Sequence, residues 1–131
     1  VSDVERRILL VEDNEDNRIV YATILRHHGF RVTEAFDGAE ALAKVDAERP
    51  DLVLLDISLP HIDGWEVSRQ LRAQGTTRDI PIVALTAHAL PGDRQRASDE
   101  GFDGYLAKPC EPRAVLAEVR RLLAVGDRPP V

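Results

Sequence analysis

Four short stretches of this chain, residues 8–11, 52–55, 82–85 and 105–107, are apolar or nearly so at every position rather than at alternate ones. Unbroken apolar runs suit strands buried on both faces, as in a parallel sheet covered by helices. Between the runs the apolar residues fall into helical spacing, so strand and helix alternate five times. After the first strand, Asn14 caps a predicted helix that reaches about His28 and is closed by Gly29. A second strand covers residues 31–35, and Asp37 precedes a helix with Ala41, Leu42 and Val45 on one face. The third strand spans 51–56, and Pro60 with Asp63-Gly64 marks a turn before a helix over about 65–73. Residues 75–79 read as a polar loop, Pro81 starts the fourth strand, and Pro91 fits the first turn of a helix that Gly101 ends. The last helix begins near Pro112, with Val115, Leu116, Val119, Leu122 and Leu123 along one stripe. This order predicts an α/β fold with a doubly wound parallel sheet.

The fourth helix differs from its neighbours. Between Gly92 and Glu100 its only apolar residue is Ala97, so it buries little surface and is weakly held.

The residues that end the apolar runs carry the chemistry. Glu12-Asp13, Asp56, Thr86 and Lys108 each follow or close one run, and ligands of such sheets sit outside the carboxyl ends of the strands. Three carboxylates, a hydroxyl and an ammonium at one edge suit a divalent cation and a phosphoryl group. Oxygen ligands favour Mg²⁺ over Zn²⁺. Asp56 is the expected nucleophile, because a carboxylate can attack phosphorus and carry an acyl phosphate. Lys108 and the Thr86 hydroxyl would hold phosphoryl oxygens. Helix capping alone would explain Glu12 or Asp13, but neither Asp56 nor Lys108.

Composition narrows the picture. The chain has 131 residues, 44% of them hydrophobic, enough for one domain over residues 1–125 with a short proline-rich tail at 126–131. A net charge of −6 argues against a nucleic-acid surface, and no apolar run is long enough to cross a bilayer, so a cytoplasmic location is expected. Of 17 basic residues only Lys44 and Lys108 are lysine, which marks Lys108 as a compact point charge among arginines. Cys110 has no partner for a bridge, and the lack of methionine suits either a processed chain or a segment of a longer one.

Taken together, Glu12-Asp13, Asp56-Ile-Ser-Leu-Pro60, Asp63-Gly64, Ala84-Leu-Thr86-Ala87 and the stretch from Gly101 through Tyr105 to Lys108-Pro109 form a multi-part pattern. From about Arg7 to Ala124 the chain resembles a response-regulator receiver domain of bacterial two-component signalling. The resemblance implies a flavodoxin-like sheet of order 2-1-3-4-5 and a cis bond at Lys108-Pro109. It further implies Asp56 as phospho-acceptor, and Asp13, Asp56 and the Ser58 main-chain carbonyl as Mg²⁺ ligands with Glu12 reaching the metal through water. Thr86 and Lys108 would contact the phosphoryl group, and Tyr105 would turn inward as Thr86 moves. His61 stands where small or apolar residues are usual, Cys110 replaces an aliphatic, and Ser58 and His88 fall at two positions that tune phosphoryl lifetime. His27, His28, His61 and His88 read as surface or loop residues, and Trp65 is expected to pack on the loop after Asp56.

The implied partners are a histidine kinase or histidine phosphotransfer domain and a downstream protein target. If the chain self-associates, a homodimer through the fourth helix, fifth strand and fifth helix is the expected form. The rival reading is a Mg²⁺-dependent aspartyl-phosphate phosphatase or phosphotransferase. Such enzymes place an acid two residues after the nucleophile, where this chain has Ser58. A flavin or nucleotide binder would need a glycine- and hydroxyl-rich first turn in place of Glu12-Asp13. Stand-alone regulator and receiver cut from a hybrid kinase remain equal readings.

Overall fold

The computed structural model describes residues 6–87 and 90–127. In chain order the elements are β1 (Arg7–Val11), α1 (Glu15–His27), β2 (Arg31–Ala35), α2 (Gly38–Glu48), β3 (Leu52–Asp56), α3 (Gly64–Ala73), β4 (Ile82–Thr86), α4 (Asp93–Asp99), β5 (Gly104–Ala107) and α5 (Pro112–Asp127). The strands form one sheet in the order β2-β1-β3-β4-β5, all neighbours parallel. No helix among the described residues is long and apolar enough to cross a membrane.

The apolar runs divide residue by residue between two layers, because successive side chains of a strand point to opposite faces. Leu9, Val11, Val53, Leu55, Ile82 and Ala84 pack with residues of α2, α3 and α4, such as Val45, Val67, Leu71 and Ala97. Ile8, Leu10, Leu52, Leu54, Val83 and Leu85 face α1 and α5, meeting Tyr21, Leu25, Val115 and Val119. Both cores are full, which is why these strands carry no polar face.

The helix starts follow their capping residues. Asn14, Asp37 and Asp63 each accept the backbone N–H three residues on, so α1, α2 and α3 begin where the sequence places them. Gly64 has a separate task, since a Cβ there would stand 2.6 Å from the Ile57 Cα and 2.7 Å from the Asp56 carbonyl oxygen. Only glycine lets α3 start this close to the end of β3.

The fourth helix departs from expectation. Pro91 is not in its first turn: the Asp93 N–H donates to the Leu90 carbonyl at 3.0 Å, and Gly92 takes φ 90 as N-cap. Proline followed by a left-handed glycine is the pattern of a type II turn, and the turn consumes the residues that would have opened the helix. The 75–79 loop also differs, since Thr77 is fully buried and its hydroxyl donates to the Leu71 carbonyl. α5 continues through Gly126 to Asp127, and residues 128–131 of the expected tail lie outside the described residues, as does His88.

Candidate functional site

The parallel order puts β1 beside β3 and β3 beside β4, so the residues that follow these strands share one edge of the sheet. Glu12 extends the pairing of β1, donating its N–H to the Ala35 carbonyl at 3.0 Å, and is fully buried. Asp56 is the last residue of β3 and is 2% exposed, while Asp13 turns outward and is exposed. One carboxylate oxygen of each of Glu12, Asp13 and Asp56 lies within 4.8 Å of the others.

Lys108 reaches the same cluster from the end of β5. Its backbone N–H donates to the Thr86 carbonyl at 2.6 Å, and the Lys108-Pro109 bond is cis, as the resemblance implies. Its Nζ donates to Glu12 Oε1 at 2.8 Å and to Asp56 Oδ2 at 3.2 Å. The remaining acceptors are also engaged: Asp56 Oδ1 takes the Ser58 N–H at 2.9 Å and Glu12 Oε2 the Asn14 N–H at 3.2 Å. Lys108 thus pairs with two of the clustered carboxylates.

Burial raises the pKa of Glu12 above the ordinary carboxylate range; the Lys108 hydrogen bond opposes this, and the Asp56 charge adds to it. Burial disfavours the Lys108 ammonium, but its bonds to Glu12 and the charge of Asp56 outweigh that and raise its pKa. Formally, three carboxylates against one ammonium leave two negative charges, which one divalent cation would cancel. The donors are all hard oxygens, so the residues fit Mg²⁺.

Thr86 ends β4 and is 3% exposed. Tyr105, on neighbouring β5, is already buried, and its hydroxyl is shut off from solvent without a hydrogen-bond partner among the described residues. The Arg94 guanidinium of α4 covers its ring at 4.9 Å. Ser58 is exposed beside Asp56, and His61, also exposed, holds a left-handed φ of 65 in the loop that follows. Trp65 packs edge-to-face on Phe102 at 5.6 Å beneath the Arg96 guanidinium, so it joins α3 to α4.

Two supports were not anticipated. Arg18 donates to the Glu12 carbonyl at 2.8 Å while pairing with Glu34 at 3.1 Å, which fixes the backbone at the end of β1. The Tyr21 hydroxyl meets Cys110 Sγ at 3.5 Å, and burial, with Cys110 beside it, raises the Tyr21 pKa. Only the helical phase of Arg18 and Tyr21 on α1 could have hinted at either.

Comparison with known proteins agrees with this geometry. Residues 8–120 match the sequence profile of the response regulator receiver domain. The response regulator MprA of Mycobacterium tuberculosis is 43% identical over 117 residues, which are 89% of this chain and 50% of that protein. The chain thus spans about half the length of the curated relatives it matches. Among solved structures, the chemotaxis response regulator CheY4 of Vibrio cholerae aligns with a TM-score of 0.84 at 31% identity, covering 90% of this chain and 98% of that one. The receiver domain of the sensor histidine kinase PA1611 of Pseudomonas aeruginosa, solved with magnesium in its active-site cleft, aligns with a TM-score of 0.78 at 43% identity, covering 92% and 96%.

Proposed function

This chain belongs to the response regulator receiver domain family, and from that membership we propose that Asp56 is where it takes up a phosphoryl group. The family's members are phospho-accepting signalling modules of two-component systems. The observation that carries the assignment is the setting of Asp56: a buried carboxylate closing a central strand, 3.2 Å from the Lys108 ammonium and clustered with Glu12 and Asp13.

The donor is a phosphohistidine of a histidine kinase or phosphotransfer domain. An Asp56 carboxylate oxygen attacks phosphorus, the P–N bond to the donor imidazole breaks, and an acyl phosphate remains on Asp56. Asp13, Asp56 and the Ser58 main-chain carbonyl would hold Mg²⁺, with Glu12 engaged through water. When bound, the ion supplies positive charge to the phosphoryl oxygens. Lys108, bonded to two carboxylates, would redirect its ammonium to an oxygen of the new phosphate. The Thr86 hydroxyl supplies a further donor. The phosphatase reading is disfavoured because the acid it needs is replaced by Ser58.

Output follows from what Thr86 leads into. Drawing its hydroxyl toward the phosphate would shift the chain entering α4 and the packing of Tyr105 and thereby remodel the face of α4, β5 and α5, for a downstream protein or a second copy. One to a few kcal/mol suffice to repopulate such an element.

With Mg²⁺ and acetyl phosphate, intact mass should show one added phosphoryl group, lost in Asp56→Asn and in EDTA. Undiminished labelling of the Asn variant would sink the assignment. Amide exchange with a beryllium fluoride mimic should change most over α4 and β5, and Thr86→Ala should remove that change while Asp56 stays phosphorylatable. Changes confined to the loop after Asp56 would leave a fixed docking platform instead of a switch.

A further inference from the structure

The parallel ladder between β1 and β2 stops at Glu12, the first residue of the carboxylate cluster. Glu12 donates its N–H to the Ala35 carbonyl, and evenly spaced bonding would next give the Glu12 carbonyl the N–H of Asp37. The chain has already turned there: β2 ends at Ala35, the Phe36 N–H donates to Glu40 Oε1 at 2.8 Å, and Asp37 caps α2. Arg18 takes the place of the missing strand, its Nη1 donating to the Glu12 carbonyl at 2.8 Å. It reaches that far back because helical side chains lean toward the N-terminus of their helix. The guanidinium is held in turn: Glu34 takes its Nε at 3.1 Å, the Phe36 ring covers it at 5.2 Å, and the side chain is only 12% exposed. Glu34 is itself seated by Arg26, which donates to Glu34 Oε2 at 3.0 Å and to the Val32 carbonyl at 2.9 Å.

What Arg18 grips is the peptide between Glu12 and Asp13. The Glu12 carbonyl and the Asp13 N–H and Cα lie in one plane, so fixing that oxygen fixes the point from which the Asp13 side chain departs. Glu12 has further restraints, since Lys108 and the Asn14 N–H hold its carboxylate. Asp13 is exposed, yet one of its oxygens lies within 4.8 Å of those of Glu12 and Asp56, an arrangement its backbone must maintain if the three are to meet one cation. A ligand set ordered in advance binds more tightly, because less freedom is lost on binding. Resting on the reading of this cluster as a Mg²⁺ site, we infer that Arg18 is a positioning residue for the metal: aimed by Glu34, it holds the Glu12–Asp13 peptide and thereby keeps Asp13 directed at the ion. The role requires arginine, since Nε and Nη1 serve two acceptors at a fixed angle that a single ammonium does not reproduce. It also runs against simple electrostatics, in which a cation beside a cation site weakens binding.

Variants that keep or remove the charge separate the two effects when the full chain is titrated with MgCl₂ by calorimetry. Arg18→Lys keeps the charge and loses the fork, whereas Arg18→Met loses both. Each should bind Mg²⁺ about tenfold more weakly, the scale for residues that orient metal ligands. A merely structural role would instead lower the melting temperature in EDTA and leave the affinity for Mg²⁺ as it was. Unaltered affinity in Arg18→Lys, or tighter binding in Arg18→Met, would overturn the inference. Asp13→Asn tests the site beneath it and should abolish the binding. If that variant bound Mg²⁺ as the parent does, the site and the positioning role would fall together; loss in Asp13→Asn with none in Arg18→Lys would remove the positioning role alone. At saturating Mg²⁺, acetyl phosphate labelling of Asp56 in Arg18→Lys should reach the parent's extent, because the partners of the guanidinium are a backbone carbonyl and Glu34. A deficit that persists at saturation would give Arg18 a direct part in phosphoryl transfer and overturn the positioning role.

Discussion

α3 and α4 flank the same sheet face, yet they are held in opposite ways. α3 has ten residues, buries Val67, Ser68 and Leu71, and is capped by Asp63, whose side chain accepts the Glu66 N–H. α4 has seven, buries Ala97 alone, and begins at Gly92 with no side-chain cap. Besides Ala97 and the Arg94 contact with Tyr105 of β5, side chains of α3 tie α4 down. The Arg96 guanidinium lies 3.9 Å over Trp65, Arg69 pairs with Glu100 at 3.1 Å, and Ser68 donates to the Glu100 carbonyl at 3.3 Å. Just beyond, Arg72 donates to the carbonyls of Gly101, Arg78 and Ile80 and to the Asp103 carboxylate. A helix secured by core burial opens only with the fold, whereas one secured by surface contacts opens locally. The helix that follows Thr86 is the second kind.

The widest gap should come from truncating each helix. Leu71→Ala removes a side chain that is 1% exposed and should cost about 2–5 kcal/mol in denaturant unfolding, whereas Gln95→Ala on exposed α4 should stay within about 0.5 kcal/mol. Similar losses would erase the contrast. Arg72→Ala attacks the link between the two regions. Stranding several carbonyls at once should cost about 2–3 kcal/mol and speed amide exchange in α4 more than in the core of α3. Equal acceleration would mean that the clamp serves the whole domain. Asp63→Ala should cost about 1 kcal/mol, the usual worth of an N-cap, and fray the first turn of α3 toward the state in which α4 already begins.

The smallest effect is a control that should leave the two helices as unlike as before. Glu12 binds its proton more tightly in the folded chain than its ordinary value of 4.5, so the native state holds more protons just above that pH. In EDTA the stabilisation tied to this proton is complete below pH 4.5 and is lost as pH rises through the raised folded pKa. Glu12→Gln cannot titrate and should lose that slope in thermal melts, with exchange of α3 and α4 unaltered. A retained slope would place its origin in another group.

The same contrast explains what the sequence discloses. The buried strands and α3 are legible because burial on both faces leaves unbroken apolar runs and because Asn14, Asp37 and Asp63 cap by local rules. Glu12, Asp13, Asp56, Thr86 and Lys108 are legible as a set because each sits at a strand end. The start of α4 is not, since Pro91 suits both a helical first turn and the second position of a tight turn; the left-handed Gly92 decides, closing a turn in which the Asp93 N–H donates to the Leu90 carbonyl. The Arg72 clamp is invisible for another reason: its partners Gly101 and Asp103 lie 29 and 31 residues away, on a turn whose position follows only from the finished sheet. The pairing of Lys108 with Glu12 is hidden likewise, because spacing brings them to one edge but does not say which charge each answers.

That pairing spans 96 residues, from the end of the first strand to the end of the last. A nascent chain exposes Asp56 long before Lys108 exists, and until β5 docks the carboxylates have no ammonium among them. If Lys108 serves the phosphoryl group as proposed, the capacity to receive a message is conferred on the domain last, by the same step that completes its sheet.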